Sequence, residues 1–356
     1  KLAPYADRIL AVNCRFETAV QNYIKVIPFL SGIPTPTQDS LRWSTEKKLM
    51  RDKLKEYDES IVPKYSYLQN LPDKDELNRI TSEMSFPLIV KPNGLYSSML
   101  VTKCENFESL QSVVEKTFDV INKVYAKERG AGKPSLLIEE FISGDMYSID
   151  AYVSENGEIT CLPPVRVITS HDVGLDGFYG YQFELPATLD DAELIDAYET
   201  AKSSVKALEL TSCTAHIELY NTKNGWKIIE LAPRIGGHRE DLYREAYGID
   251  HYYNDLASRT GLPLDLPRED TSANFAVCMD LYPEKEGIIT GFEGFEEIKK
   301  LKSFVHVITH AKVGDEALFA QNGGPYIVDV MLSHSDKQQV LRDADKVRQT
   351  VLIKVI

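Results

Sequence analysis

Residues 215–232 constrain this chain more than any other segment. Ala215–Asn221 and Trp226–Ala232 each alternate apolar and polar positions, and Asn224-Gly225 lies between them, so the pattern predicts a β-hairpin. Each strand carries one acid, Glu218 and Glu230. A two-residue turn at Asn224-Gly225 would pair Glu218 with Leu231 and put the acids on opposite faces. A three-residue loop, Lys223-Asn-Gly225, with Gly225 left-handed, pairs Thr222 with Trp226 and sets Glu218 directly opposite Glu230. The second register is the one expected. Two opposed carboxylates repel, and a divalent cation is the simplest compensation. Carboxylate oxygens completed by water and phosphate are what Mg²⁺ prefers. The competing structural reading has both acids pointing into solvent. Arg234, just past the second strand and beside Gly236-Gly237, is either a bidentate holder of phosphate or carboxylate or an ordinary surface arginine.

Composition narrows the partners. The 356 residues suggest roughly two to three domains. The charge is 40 − 54 = −14, which repels phosphate at long range and disfavours nucleic acid or anionic lipid while leaving room for a local basic pocket. No apolar run approaches the roughly 18 residues of a membrane span. The 5 cysteines are odd in number, widely spaced and free of CxxC, so neither a disulfide framework nor a zinc site is expected and a reducing, cytoplasmic compartment is. The chain starts at Lys1, without Met or a signal-peptide pattern.

Along the chain, 1–75 reads as α/β, with a strand at Asp7–Ala11 and helices at Glu17–Leu30 and Ser44–Tyr57, the last capped by Ser44 or Thr45. Residues 76–150 read as α+β, with strands Leu88–Lys91, Ser98–Lys103, Ser135–Phe141 and Tyr147–Val153 and a long helix Phe107–Lys127. Ser170–Leu185 has no clear period and reads as a long loop, followed by a helix at Asp191–Leu208. In 271–356, strands are expected at Asn274–Leu281, Ser303–Ala311, Tyr326–Leu332 and Val351–Ile356, a helix at Asp336–Thr350, and turns at Gly287, Gly291 and Gly294.

Two further segments carry chemistry. Val90-Lys-Pro92 ends an apolar strand in a lysine, and Asn93-Gly-Leu-Tyr-Ser-Ser98 follows, an arrangement able to cover phosphates. Neither a Walker A pattern nor GxGxxG occurs in the chain. Ser135–Gly144 is an apolar strand ending in Glu139 and Glu140, suited to a purine: backbone for the adenine edge, an acid for ribose hydroxyls. A solvated strand end explains the same acids.

Taken in order, Thr45-Glu-Lys-Lys-Leu-Met-Arg51, Pro87-Leu-Ile-Val-Lys-Pro92, Leu137-Ile-Glu-Glu-Phe-Ile-Ser-Gly144 with Tyr147-Ser-Ile-Asp150, His216-Ile-Glu218 and Ile229-Glu-Leu-Ala-Pro-Arg-Ile-Gly-Gly237 resemble the ATP-grasp carboxylate–amine ligases. The resemblance covers essentially the whole chain. It implies an α/β and α+β multidomain protein of ATP-grasp fold, two α+β subdomains clasping ATP. In those terms 1–43 is the remnant of an N-terminal α/β domain lacking its first strands, 44–75 a linking helix region, and 76–145 the lid subdomain. Residues 146–270 are the second subdomain with the metal-site hairpin, and 271–356 a C-terminal β-rich piece.

The resemblance also implies roles. Glu218 and Glu230 would hold one or two Mg²⁺ ions, with Mn²⁺ an acceptable substitute. Lys91 and Lys47 would contact ATP phosphates, Ser97 would belong to the lid, and Glu139, Glu140, Phe141 and Ile142 would line the adenine. Arg234, with Lys91, would stabilise the transferred phosphoryl group. The chain departs from the family pattern at Ala232, where Asn is common, at Met99, where Gly is common, and at Met146, where a ribose-binding Glu often sits. Ribose contacts then pass to Glu140 or Asp145.

Pro233-Arg-Ile-Gly-Gly-His238 resembles the L-amino-acid ligases, which join two amino acids. Arg166, His171, Asp172, Tyr179 and Tyr181 would border an acceptor pocket, with Gly236, Gly237, His238 and Arg239 nearby. His216 is either a partner of Glu218 or a packed strand histidine. The expected partners are a small carboxylate and an amine, with a homodimer allowed and neither nucleic acid nor membrane. Two other readings stay open: a bicarbonate-activating or purine-pathway enzyme of the same fold, and a nucleotide-binding module without turnover.

Overall fold

The computed structural model describes residues 8–96, 98–174, 179–267, 272–319, 322 and 324–356. The described part of the N-terminal piece is helical: α1 (Glu17–Val26), α2 (Gln38–Thr45) and α3 (Lys47–Tyr57). No strand forms at 8–11, contrary to the sequence pattern, and residue 7 lies outside the described residues. A single Ser44–Tyr57 helix is also replaced. Glu46 is extended (φ −107°, ψ 107°) and breaks the helix in two. Ser44 and Thr45 close α2 from inside, donating their hydroxyls to Leu41 O at 3.0 and 2.8 Å, and the capping residue is Thr37. On α3 the buried residues are Lys47, Met50, Arg51 and Leu54. This i, i+3, i+4, i+7 stripe carries two cations.

The first strand, β1 (Tyr65–Leu68), belongs to a four-stranded antiparallel sheet in the order β1-β4-β2-β3, with β2 Leu88–Pro92, β3 Thr102–Cys104 and β4 Leu136–Glu140. Helices α4 (Lys74–Glu83) and α5 (Phe107–Glu128) cover one face. Leu88 and Val90 of β2 and Leu136 and Ile138 of β4 pack into that core with Leu77, Ile80, Leu110, Val114 and Ile121. Period two then sends Ile89, Lys91 and Glu139 to the other face. Strand β3 is shorter and later than Ser98–Lys103, because Ser98 and Leu100 are left-handed (φ 54° and 58°) and cannot continue a strand.

The large sheet runs β10-β9-β5-β7-β8-β11-β15-β13, with β6 (Ile159–Cys161) paired to β5. Its strands are β5 Asp145–Val153, β7 Val165–Thr169, β8 Gly180–Leu185, β9 Cys213–Thr222, β10 Gly225–Ala232, β11 Phe275–Leu281, β13 Phe304–Thr309 and β15 Val328–His334. β8 forms inside the segment read as a loop, and its Tyr181 and Leu185 point into cores. Helix α6 (Asp191–Ala207) joins α3 against the hairpin end of the sheet. Helices α7 (Arg239–Tyr247) and α8 (His251–Thr260) cover the middle. β8 pairs with β11, so strands on either side of 268–271 share one sheet.

A three-stranded sheet, β14-β12-β16, completes the C-terminal part: β12 Gly287–Glu293, β14 Glu316–Ala317 and β16 Leu352–Val355, with α9 (Phe295–Ile298) and α10 (Lys337–Thr350). β12 takes in Gly287 and Gly291, both expected as turns, whereas Gly294 (φ 89°) does turn the chain, from β12 into α9. Gly291 sits at a register shift within the strand.

Candidate active site

A cleft of about 790 Å³ lies between the four-stranded sheet and the β9–β10 hairpin. It is lined by Lys47, Lys91, Glu139, Glu140, Phe141, Ile142, Glu218 and Glu230, together with Met99, Met146 and Tyr220. Eight side chains singled out from four separated sequence segments therefore meet at one cavity.

Glu218 does face Glu230, but not through the turn expected. Gly225 (φ +90°) pairs with Thr222, leaving a two-residue Lys223-Asn224 loop. That register alone would set Ile229 against Glu218. A β-bulge between Ile228 and Glu230 slips β10 by one residue and brings the two carboxylates opposite each other. Ile229 is not wasted: its carbonyl accepts a 2.6 Å hydrogen bond from Arg51.

Cations reach the acids from the other side. Lys47 Nζ lies 3.0 Å from Glu230 Oε1 and donates to Leu95 O at 2.5 Å. Lys91 Nζ is 2.7 Å from Glu139 Oε2, and Arg51 binds the same carboxylate at 2.9 and 3.3 Å. Burial would raise the Glu139 carboxyl, but Arg51 and Lys91 hold it below its usual range. Lys91 is pushed down to about 8, chiefly by burial and further by Arg51 and Lys47, against the pull of Glu139.

Behind Glu218 lies a buried relay. His216 Nε2 is 3.4 Å from Glu218 Oε1, and its Nδ1 is 2.6 Å from Asp150 Oδ1. Asp150 Oδ2 faces His251 Nε2 at 2.9 Å and accepts the Gly236 N–H at 2.9 Å, while His251 Nδ1 meets Tyr152 Oη at 2.7 Å. Asp150 is fully buried. Burial alone would raise its carboxyl, but His216 and His251 drive it far below the ordinary range. Burial opposes the charge on His216, yet Asp150 and Glu218 outweigh it and raise that histidine. His216 is thus a partner of Glu218 as well as a packed residue. Glu218 is held low by His216, Arg239 and Arg234 against burial. Gly236 leaves no room for a side chain, because a Cβ there would stand 2.4 Å from His216 Nδ1.

The other candidates lie further out. Arg234 is absent from the cleft lining. Its Nε donates to Glu17 Oε2 at 2.7 Å and one Nη to Ile235 O at 3.0 Å. Asp145 is exposed and pairs with Arg166 at 3.1 Å. His171 is exposed in a short turn, where Asp172 accepts from Thr169 N and Oγ1, both at 2.8 Å. Tyr179 and Tyr181 are buried in the C-terminal core. Gly237 O accepts from Arg239, whose guanidinium also holds Ser148 Oγ at 2.7 and 3.2 Å. Ser148 is the strand partner of Glu218. His238 lies beside Asp280, Phe183 and Tyr326. Ser97 lies outside the described residues. The sequence reading gave no role to Arg51, Glu17, Asp150 or His251. Of these, Arg51 had a usable signal: a charged residue inside the apolar stripe of a helix, four residues after Lys47.

Glu218 and Glu230 fit a divalent ion. They offer only hard oxygen donors, directly opposed, with about a third of each side chain still exposed. Among the described residues no helix is long and apolar enough to cross a membrane.

Residues 84–240 match the family described as "ATP-grasp domain", and residues 280–355 match "L-amino acid ligase C-terminal domain 2". The alanine–anticapsin ligase of Bacillus amyloliquefaciens is 25% identical over 184 residues, 49% of this chain and 39% of that protein. An L-arginine-specific L-amino acid ligase of Bacillus subtilis is 24% identical over 298 residues, 80% of this chain and 65% of that protein. The chain thus spans less than two thirds of either relative. Among solved structures, the L-amino acid ligase from Bacillus licheniformis superposes with a TM-score of 0.80 at 21% identity, covering 96% of this chain and 80% of that one. An N5-carboxyaminoimidazole ribonucleotide synthetase from Thermotoga maritima gives 0.68 at 20% identity, covering 95% and 79%. At these identities the structural likeness establishes the ATP-grasp fold alone, and the two matched segments establish an ATP-grasp domain at residues 84–240 and an L-amino acid ligase C-terminal domain 2 at residues 280–355.

Proposed function

We propose that this protein is an ATP-dependent carboxylate–amine ligase that joins amino acids or small amino-carboxylates, releasing ADP and phosphate. One observation carries the reading. Lys47 and Lys91 converge with the opposed pair Glu218 and Glu230 on one cleft between two sheets. Phosphoryl transfer needs positioning and charge neutralisation rather than a nucleophilic side chain, and that is the chemistry of these residues. The C-terminal match at 280–355 supports amino acids over bicarbonate as the activated carboxylate.

Glu218 and Glu230 would hold one or two Mg²⁺ ions, which when bound supply positive charge to the β- and γ-phosphates. Lys47 and Lys91 neutralise phosphate oxygens from the opposite wall. Arg51 and Glu139 fix Lys91 in place. Glu140 and Phe141 donate their N–H groups to Lys64 O and Pro87 O, so adenine donors in this segment begin at Ile142. Glu140, in the cleft lining, takes the ribose in preference to Asp145. The substrate carboxylate attacks the γ-phosphorus to give an acyl phosphate, and the amine then displaces phosphate. Arg234, released from Glu17, would steady the transferred group. The loop around Ser98 and Met99 excludes water from the acyl phosphate.

The test is ADP and phosphate release with Mg²⁺, ATP and pooled amino acids, against a Glu230→Gln control, with mass detection of products. ADP rising only with amino acids, and a product of two substrates minus water, supports the reading. AMP with pyrophosphate would sink the acyl-phosphate mechanism, and bicarbonate-dependent ADP without amino acids would replace the substrate class.

A further inference from the structure

A second cluster of ligating side chains lies apart from the cleft, where α7 begins over strands β11 and β15. Strand parity puts Cys278 and Asp280 on one face of β11, and the register sets Asp329 of β15 directly opposite Asp280. His238, left-handed at φ 59°, precedes α7 and places Nε2 2.9 Å from Asp280 Oδ1. One donor atom each from His238, Cys278 and Asp329 lie within 4.8 Å of one another. Cys278, Asp280 and Asp329 are 0%, 5% and 2% exposed.

Two features argue against a merely packed cluster. Two acids directly opposed inside a sheet repel. Asp280 Oδ1 meets His238 Nε2 at 2.9 Å but outside good hydrogen-bond geometry, and a poorly satisfied buried oxygen is costly. Asp329 is by contrast well held: His310 Nε2 hydrogen-bonds its Oδ2, and His306 Nε2 stands 3.6 Å from its Oδ1. Histidine holding a carboxylate in this way is how outer residues orient a metal ligand. The side chains of His306 and His310 are 27% and 38% exposed, so the cluster has a route to solvent.

We propose that His238, Cys278 and Asp329 form a second metal site, for a borderline ion of the Zn²⁺ class, oriented by His310 and flanked by Asp280. The donor set of imidazole, thiolate and carboxylate selects such an ion over Mg²⁺, which avoids sulfur. Coordination joins the start of α7 to two strands of the large sheet and places a positive charge beside Asp280. On binding, the Cys278 thiol gives up its proton to solvent and its sulfur donates to the metal. The site is independent of Glu218 and Glu230.

Cobalt reports it directly. The full chain, stripped with chelator, is titrated with Co²⁺ and read for the thiolate-to-cobalt absorption band, then back-titrated with Zn²⁺. One equivalent is expected to give the band, and Zn²⁺ to displace it. Cys14, Cys104, Cys161 and Cys213 belong to no such cluster among the described residues, so Cys278→Ser should abolish the band. His310→Ala should weaken Co²⁺ binding about 10–100-fold. The band should survive Glu218→Gln combined with Glu230→Gln. Absence of the band in the unaltered chain overturns the proposal whatever the variants do, as does a band that persists in Cys278→Ser. A band lost with Glu218 and Glu230 overturns the independence of the two sites.

Discussion

The two walls of the cleft handle charge in opposite ways. On the lid wall, Arg51 and Lys91 enclose Glu139, with side chains 0%, 6% and 4% exposed. On the hairpin wall, Glu218 and Glu230 stay 31% and 30% exposed, Glu218 beside His216 and Glu230 paired with Lys47. A closed triad cannot exchange partners without leaving a buried charge alone, so it acts as a fixture that positions Lys91. The open pair can gain a ligand at small cost. Damage to the first wall should therefore appear as instability, and damage to the second as lost turnover with the fold intact.

The largest effect is expected at the fixture. Glu139→Ala leaves Arg51 and Lys91 buried side by side, and breaking a buried pair in this way costs about 3–5 kcal/mol. Denaturant unfolding would measure it. A loss under about 1 kcal/mol would mean that the triad is not closed. The hairpin wall gives the contrast. Glu230→Gln is expected to lower kcat by roughly 10²–10³, the scale of removing one preorganised electrostatic element. It should change unfolding free energy by no more than about 1 kcal/mol, because its pair with Lys47 is partly solvated. Equal stability losses in the two variants would erase the distinction between the walls.

A smaller effect sharpens the comparison by reaching the hairpin wall from behind. His216 touches Glu218 on one side and Asp150 on the other. Loss of such an orienting residue typically costs about 10–100-fold in metal affinity. His216→Gln should therefore raise the Mg²⁺ concentration for half-maximal activity by that factor while saturating Mg²⁺ restores most of kcat. A fall in kcat that Mg²⁺ does not rescue would assign His216 a role beyond orientation.

The walls also differ in how legible they are. Alternation and an Asn-Gly pair were enough to expect a hairpin and to face Glu218 towards Glu230. The device that does so, a bulge at Ile229, carries no mark, since Ile228 and Ile229 read as ordinary strand residues. The right opposition therefore follows from a turn that the chain does not make. The lid triad was half visible: Lys91 and Glu139 stand at strand ends, but Arg51 is one of several cations on a lysine-rich helix, and only its place on the buried stripe separates it. Asp150 and His251 are 101 residues apart, and no local pattern links them. The N-terminal strand failed because a short apolar run at 7–11 fits strand or coil equally until a neighbouring strand is present to pair with it.

The lid wall carries one more signature, set by the protonation of Lys91. Its folded pKa is depressed to about 8, chiefly by burial, from an ordinary value near 10.5. Between these limits the unfolded chain holds a proton that the folded chain has released, so stability from this group rises with pH across that window, by at most about 1.4 kcal/mol per unit. Activity should move the other way, because a neutral Lys91 no longer attracts phosphate. KM for ATP should climb above about pH 8 as unfolding free energy gains relative to Lys91→Met measured at the same pH values. The opposed slopes distinguish a buried lysine from a solvated one, which would change neither quantity until near pH 10.5. If KM stays flat to pH 9.5 while the stability slope is present, Lys91 is part of the fixture alone, and Lys47 carries the phosphate contact from this side of the cleft.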